Sequence, residues 1–230
     1  MNVATILGAA STVALWTPVF LIVVLQMWKR RGLLALLFYY SFVGFTNAHH
    51  QRIISLPKDV YMFINILGNF LDVPLILLTL TAFAMSAQVR KQMLVTIVVF
   101  LVYGAFTAFS FGWNHKSAMY AVAPGIFVVM WYSIIHFSHY TRMAIERNRG
   151  MGQSMMCAAI FFAYGTYVIV YYFSFMNEYS TVRDIIVIYY VANLLSAVLM
   201  SIGLIYLHRH DRQIKEVQRT RRELAMFFDH

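Results

Sequence analysis

Charged residues are scarce in this chain. Asp, Glu, Lys and Arg make up 12% of its 230 residues, whereas 61% are hydrophobic, and soluble domains carry about 25% charged residues. Most side chains must therefore face lipid or other apolar helices. The longest polar stretch is the C-terminal segment from His208, which is too short for a soluble domain. Any functional site is expected among the membrane-spanning segments.

Cysteine is nearly absent as well. Cys157 is the only one and lies inside an apolar run, which excludes an internal disulfide and any site built from several cysteines. The formal net charge is +9, but the basic residues stand at the ends of apolar segments and no nucleic-acid-binding motif accompanies them. Nucleic acid is therefore not expected as a partner.

Apolar segments long enough to cross a membrane recur along the chain. About 20 apolar residues span a hydrocarbon core of about 30 Å. The sequence therefore predicts an all-α integral membrane protein, with a seven-transmembrane-helix bundle in residues 1–207. The helices are predicted at 3–28, 33–55, 60–86, 91–113, 118–142, 153–177 and 184–207. Breaks are predicted at Pro57, Gly112, 148–152 and 177–183, where Pro, Gly and polar residues interrupt the apolar runs.

Lys and Arg are distributed unevenly among the loops. Of the 18, only Arg52, Lys58, Lys116 and Arg183 fall in loops two, four and six. The other loops and the tail hold the remaining fourteen. Because basic loops resist translocation, the C-terminus is predicted in the cytoplasm, and seven spans then place the N-terminus outside the cytoplasmic (inner) membrane.

The C-terminal segment 208–230 is basic and amphipathic. Its apolar residues recur at helical spacing with charges between them: Ile214, Val217, Leu224 and Phe228. Such a helix is suited to contact anionic lipid or a cytoplasmic protein. A solvated extension of the last span explains the pattern equally well, and a homo- or hetero-oligomer is left open.

Asp72 is the only acid deep within a predicted span. It lies about eleven residues, or about 16 Å, into predicted helix three, and therefore near the middle of the membrane. A charged group there costs about 2.5–3.5 kcal/mol on insertion scales. We therefore expect Asp72 to be protonated or paired, and to be functional.

Amide and imidazole side chains are predicted to accompany Asp72 on the outer side of the membrane. They are Asn65 and Asn69 on the same helix, Asn193 on helix seven, and His49 and His50 on helix two. These residues are predicted to line a polar cavity or proton path that opens outward. The alternative is that they form interhelical hydrogen bonds that hold the bundle together.

Two histidines share a face of helix five, His136 and His139. A catalytic zinc ion usually has three protein ligands and a bound water, a pattern the sequence does not match, so we expect these side chains to be solvated and not metal-bound. A haem with two histidine ligands needs two histidines that face each other at the same depth in the bundle. Only His49 or His50, paired with His115, comes near this arrangement. No catalytic triad, nucleotide loop or carboxylate pair favours an enzyme.

The segment from Asp72, DVPLILLTLTAFA, resembles the third helix of microbial rhodopsins, where a proline is followed by a Leu-rich run. The spacing of three tyrosines is similar to that of the aromatic residues flanking retinal in that family: Tyr164, Tyr167 and Tyr171. The pair Ser196 and Ala197 resembles the Ser-Ala before the retinal-binding lysine. The resemblance implies a rhodopsin-like bundle, places Val198 at the lysine position, and suggests that Val198 and the three tyrosines line an apolar ligand.

Lysine is absent from the middle of every predicted span. The five lysines stand at helix ends or beyond them: Lys29, Lys58, Lys91, Lys116 and Lys215. No Schiff base can form, so covalent retinal is excluded and the family's light-driven pumping is not transferred. The leading hypothesis is a non-enzymatic sensor, accessory subunit or binder of a small apolar ligand, with a non-covalent retinoid or carotenoid as one candidate. The alternatives are a proton- or ion-coupled channel or transporter using Asp72, and a haem or metal membrane enzyme.

Overall fold

The computed structural model describes residues 3–175 and 182–228, and within these ranges the chain is helical and contains no β-strand. A short 3-10 turn, Met27–Lys29, connects the first two α-helices. In chain order the α-helices are α1 (Val3–Val24), α2 (Arg31–His50), α3 (Lys58–Thr81), α4 (Ala87–Phe111), α5 (His115–Arg147), α6 (Met151–Phe175) and α7 (Val182–Phe228).

Three of the four predicted breaks between helices are confirmed. Pro57 immediately precedes α3, and Gly112 ends α4 with a φ of 79° that favours glycine. After α5, Asn148 has a φ of 51° and Gly150 a φ of 88°, so the chain turns sharply before α6. The fourth predicted break, 177–183, lies largely outside the described residues.

Six of the helices described are long and apolar enough to cross a membrane. α2 is the exception, because Asn47, His49 and His50 make its last turn polar. The outer surface is rich in exposed apolar side chains, as Val98 and Phe109 on α4 illustrate. Apolar surface of this extent is suited to lipid and not to water, which indicates a multi-pass membrane protein.

The helices form a closed ring. Each α-helix packs against the next in chain order, α7 packs against α1, and α3 also contacts α5. Fully buried apolar side chains fill the interior: Leu36, Leu77, Leu80, Val129, Met156 and Leu204. Ring closure therefore brings α2, α3, α5, α6 and α7 around one interior space.

α6 and α7 approach each other closely enough for their backbones to be in contact. A Cβ atom added to Gly152 would lie 2.6 Å from the backbone nitrogen of Leu207, and one added to Gly203 would lie 2.6 Å from Cγ of Met156. Small residues let transmembrane helices approach until their backbones touch. These two glycines therefore set the distance between α6 and α7.

α7 does not end where the last span was predicted to end. It is 47 residues long, about 70 Å at 1.5 Å per residue, and continues as one helix through the segment from His208. Beyond the ring, Asp211 forms an ion pair with Arg30 at 2.6 Å, which ties the end of the α1–α2 connection to α7. Ile214 and Val217 are exposed on the projecting part.

Candidate ligand-binding cavity

A cavity of about 300 Å³ lies within the ring, between α2, α3, α5, α6 and α7. We refer to it as the central cavity. Its apolar lining comprises Phe42, Val43, Gly68, Leu75, Met119, Val122, Ile126 and Val170. Its polar lining comprises Tyr39, Thr46, Asn65, Asn69, Asp72, Tyr167, Tyr171 and Tyr189.

One wall of the central cavity is a polar face of α3. Asn65, Asn69 and Asp72 follow at i, i+4 and i+7, which places them on one side of a helix, and all three line the cavity. The Asn69 amide nitrogen donates to the Asn65 carbonyl at 2.9 Å. Asp72 is 14 residues beyond Lys58 in a helix of 24 residues, about 21 Å from its start. The carboxyl group is thus near the middle of the helix, somewhat deeper than the predicted boundaries suggest.

Asp72 is held by a tyrosine from the opposite side of the ring. The Tyr164 hydroxyl on α6 donates to Oδ2 of Asp72 at 2.8 Å, and the Tyr164 side chain is 1% exposed. The other oxygen, Oδ1, accepts no hydrogen bond from the described part of the chain. Among the described residues that line the cavity, Asp72 is the only one with a carboxyl group, and none is Lys, Arg or His.

Tyrosines from three helices form the other polar part of the central cavity's lining. Tyr39 on α2, Tyr167 on α6 and Tyr189 on α7 all line the cavity. The rings of Tyr167 and Tyr189 are nearly parallel, at a centroid distance of 6.2 Å. The Tyr167 hydroxyl donates to the Asn193 side-chain oxygen at 3.3 Å. Tyr171, one turn further along α6, also lines the cavity.

The structure places three of the predicted polar residues near the cavity but outside its lining. Asn193 is buried on α7, and its amide nitrogen has no partner among the described residues. The His49 ring stacks on Tyr61 at 4.0 Å, and His50 is hydrogen-bonded to the Tyr61 hydroxyl at 2.8 Å. The histidines therefore join the end of α2 to the start of α3.

Val198 lies on the outer surface of the ring. Ser196 and Ala197 are buried, and the Ser196 hydroxyl donates to the Ala159 carbonyl at 3.1 Å. Val198, the next residue, is 44% exposed and does not line the central cavity. The position that the resemblance matches to the retinal-binding lysine therefore faces away from the interior.

The expectation of a solvated side chain is wrong for His136. Its side chain is 0% exposed, and Nδ1 is hydrogen-bonded to the Tyr132 carbonyl at 2.7 Å. Its face of α5 packs into the ring, which the sequence spacing did not reveal. His139 is partly buried with its ring against Tyr140. In residues 3–175 and 182–228, no group of three possible metal ligands occurs.

Sequence reasoning missed much of the cavity lining on α2 and α5. Phe42, Met119, Val122 and Ile126 resemble ordinary core residues, so no sequence signal distinguishes them. Tyr189 offered a weak signal, since it is a polar aromatic residue in an aliphatic run.

No family model, curated protein or solved structure matches this chain. The central cavity is therefore the feature from which its function is inferred.

Proposed function

We propose that this protein is a seven-span membrane sensor or receptor that binds a small molecule in its central cavity. The supporting observation is a cavity with an apolar wall on α5 and polar groups converging from α3 and α6. Ligand sites are typically concave, about 300–1,000 Å³ in volume and mainly apolar, with a few placed polar groups. At about 300 Å³, the central cavity suits a small ligand with one polar end.

The seven-span topology includes α2 as a membrane-crossing helix. At 20 residues it is about 30 Å long, and it packs between α1 and α3 in the ring. Its buried Asn47 donates to the hydroxyls of Ser11 and Thr12 at 3.0 Å each. Because these contacts satisfy the side-chain nitrogen of Asn47 within the ring, α2 can cross the membrane despite its lower hydropathy.

Cysteine labelling tests the proposed orientation. In a Cys157→Ser background, Ser55→Cys in the α2–α3 connection should react with an impermeant maleimide in intact cells. Arg149→Cys, between α5 and α6, should react only after permeabilisation, because the basic loops are proposed to face the cytoplasm. Reaction of both in intact cells, or the reverse order, would contradict the topology.

The buried apolar side chains that follow Asp72 along α3 favour ligand binding over proton transport. α3 continues from Asp72 into Ile76, Leu77 and Leu80, each at most 1% exposed. These side chains belong to the apolar core that includes Val129 and Leu204. A proton path needs polar groups or water along its length, and an apolar layer interrupts it. The arrangement supports a cavity closed at one end.

Filling the central cavity should abolish binding. Val122 lines the cavity on α5, so Val122→Phe places a ring in the space where the ligand is proposed to lie. Native mass spectrometry of protein purified from its own membranes should detect a small-molecule adduct that Val122→Phe loses. An absorption spectrum of the same preparation tests whether the adduct is a retinoid, carotenoid or haem.

The matched control is Val99→Phe on α4. Val99 is exposed on the outer surface, so the same added ring should extend into lipid and leave the adduct intact. An adduct that survives in Val122→Phe to the same degree as in Val99→Phe would rule out the central cavity as its site.

A further inference from the structure

We propose that the ligand of the central cavity is a small organic cation, with an ammonium group bound to Asp72. This inference rests on the proposed function and adds the chemical class of the ligand. The described residues that line the cavity supply one carboxyl group and no basic side chain. The described residues contain two ion pairs, Arg30 with Asp211 and Arg142 with Glu146, and Asp72 takes part in neither.

One oxygen of the Asp72 carboxyl group has no hydrogen-bond donor among the described residues. Tyr164 donates to Oδ2 at 2.8 Å, and no described group donates to Oδ1, although Asp72 lines the cavity. An ionised carboxylate in an apolar interior is stabilised by an opposite charge within about 4–6 Å. An ammonium group at Oδ1 supplies that charge and hydrogen bonds together.

The side-chain amide of Asn69 is oriented to accept a hydrogen bond from the cavity. The side-chain nitrogen of Asn69 donates to the Asn65 backbone carbonyl at 2.9 Å. The side-chain oxygen of Asn69 is therefore the group that is available to the cavity. A primary ammonium group has three N–H donors and no acceptor. It can therefore donate both to the Asp72 carboxylate and to the Asn69 side-chain oxygen. A ligand carboxylate would instead be repelled by Asp72.

The tyrosine rings favour the same charge. Tyr39, Tyr167 and Tyr189 line the cavity from three different helices. The face of an aromatic ring carries negative electrostatic potential and attracts a cation within about 6 Å of its centroid. The apolar side chains of Phe42, Val122 and Ile126 leave room for a hydrocarbon group.

Three probes of matched size separate charge from shape: 2-phenylethylamine, which is a cation at pH 7, neutral 2-phenylethanol, and anionic phenylacetate. Binding to the full chain is measured by titration calorimetry in phosphatidylcholine nanodiscs, whose lipid carries no net charge. We expect the wild type to bind the amine at least tenfold more tightly than the alcohol, and not to bind phenylacetate. This comparison on the wild type does not depend on any variant folding.

Two variants on the same helix identify the carboxyl group responsible. Asp72→Asn keeps the shape and an acceptor for Tyr164 but removes the charge, so the affinity for the amine should fall at least tenfold while that for the alcohol is unchanged. Asp59→Asn is the matched control, because Asp59 is exposed in the first turn of α3 and does not line the cavity. It should bind the amine as the wild type does.

Each other outcome overturns a definite part of the proposal. Equal binding of amine and alcohol by the wild type, or unchanged amine binding in Asp72→Asn, overturns the cationic ligand but leaves the cavity as a binding site. A wild type that binds none of the three probes also overturns the cationic ligand. The proposed function is tested separately, by native mass spectrometry. It is overturned if the wild type shows no small-molecule adduct, or if the adduct persists in Val122→Phe.

Discussion

Replacing Gly152 by alanine is expected to lower the free energy of unfolding by about 3 kcal/mol or more, the upper end of the usual cost of overpacking. A Cβ atom at this position would lie 2.6 Å from the backbone nitrogen of Leu207 and 2.8 Å from the carbonyl oxygen of Gly203. Both contacts are with backbone, which cannot rotate away as a side chain does. α6 and α7 would have to separate, and the ring would lose this backbone contact.

Gly165→Ala on the same helix is the matched control. The added Cβ would meet only the Met130 methyl group, at 3.9 Å, and alanine is the better helix former by about 1 kcal/mol. Size-exclusion chromatography and reversible unfolding in mixed micelles compare the two variants. If Gly152→Ala unfolds at the same denaturant concentration as Gly165→Ala, the close packing of α6 on α7 is not what stabilises the ring.

The features that the sequence predicted correctly are those governed by local chemistry. Pro57 and Gly112 marked the limits of helices, because the pyrrolidine ring of proline and the positive φ of glycine each act within one helical turn. A helix of 3.6 residues per turn likewise puts Asn65, Asn69 and Asp72 on one face of α3. These predictions needed no knowledge of which helices are neighbours.

Other features depend on contacts between distant parts of the chain. Tyr164 and Asp72 are 92 residues apart, and only the packing of the ring brings them together. Val198 faces outward because α7 packs with Ala197 and Met200 towards the ring, a rotation of the helix that residue type alone does not reveal. The continuation of α7 beyond the last span was one of two alternatives for the tail, because charged residues continue a helix readily and the spacing of apolar residues did not decide between them.

Tyr164 is the residue that connects core packing to the central cavity, and Tyr164→Ala should be among the most damaging single changes in the ring. The side chain is 1% exposed and among the largest fully buried ones described. Truncating a buried aromatic residue to alanine costs about 3–5 kcal/mol through lost contacts and an internal void. Unfolding in mixed micelles measures this loss, and Tyr172→Ala, at a position 54% exposed on the same helix, should cost far less.

Tyr164→Phe separates the hydroxyl from the ring. It keeps the packing but removes the donor to Asp72, so we expect a loss of about 1–3 kcal/mol, the cost of leaving a buried polar group unsatisfied. A double-mutant cycle with Asp72→Ala, which removes the acceptor, isolates the interaction between the two side chains. A coupling free energy near zero would mean that the hydroxyl does not stabilise the carboxyl group. A large coupling, with Tyr164→Ala costing more than Tyr164→Phe, would show that one tyrosine both fills the core and positions Asp72 for a ligand.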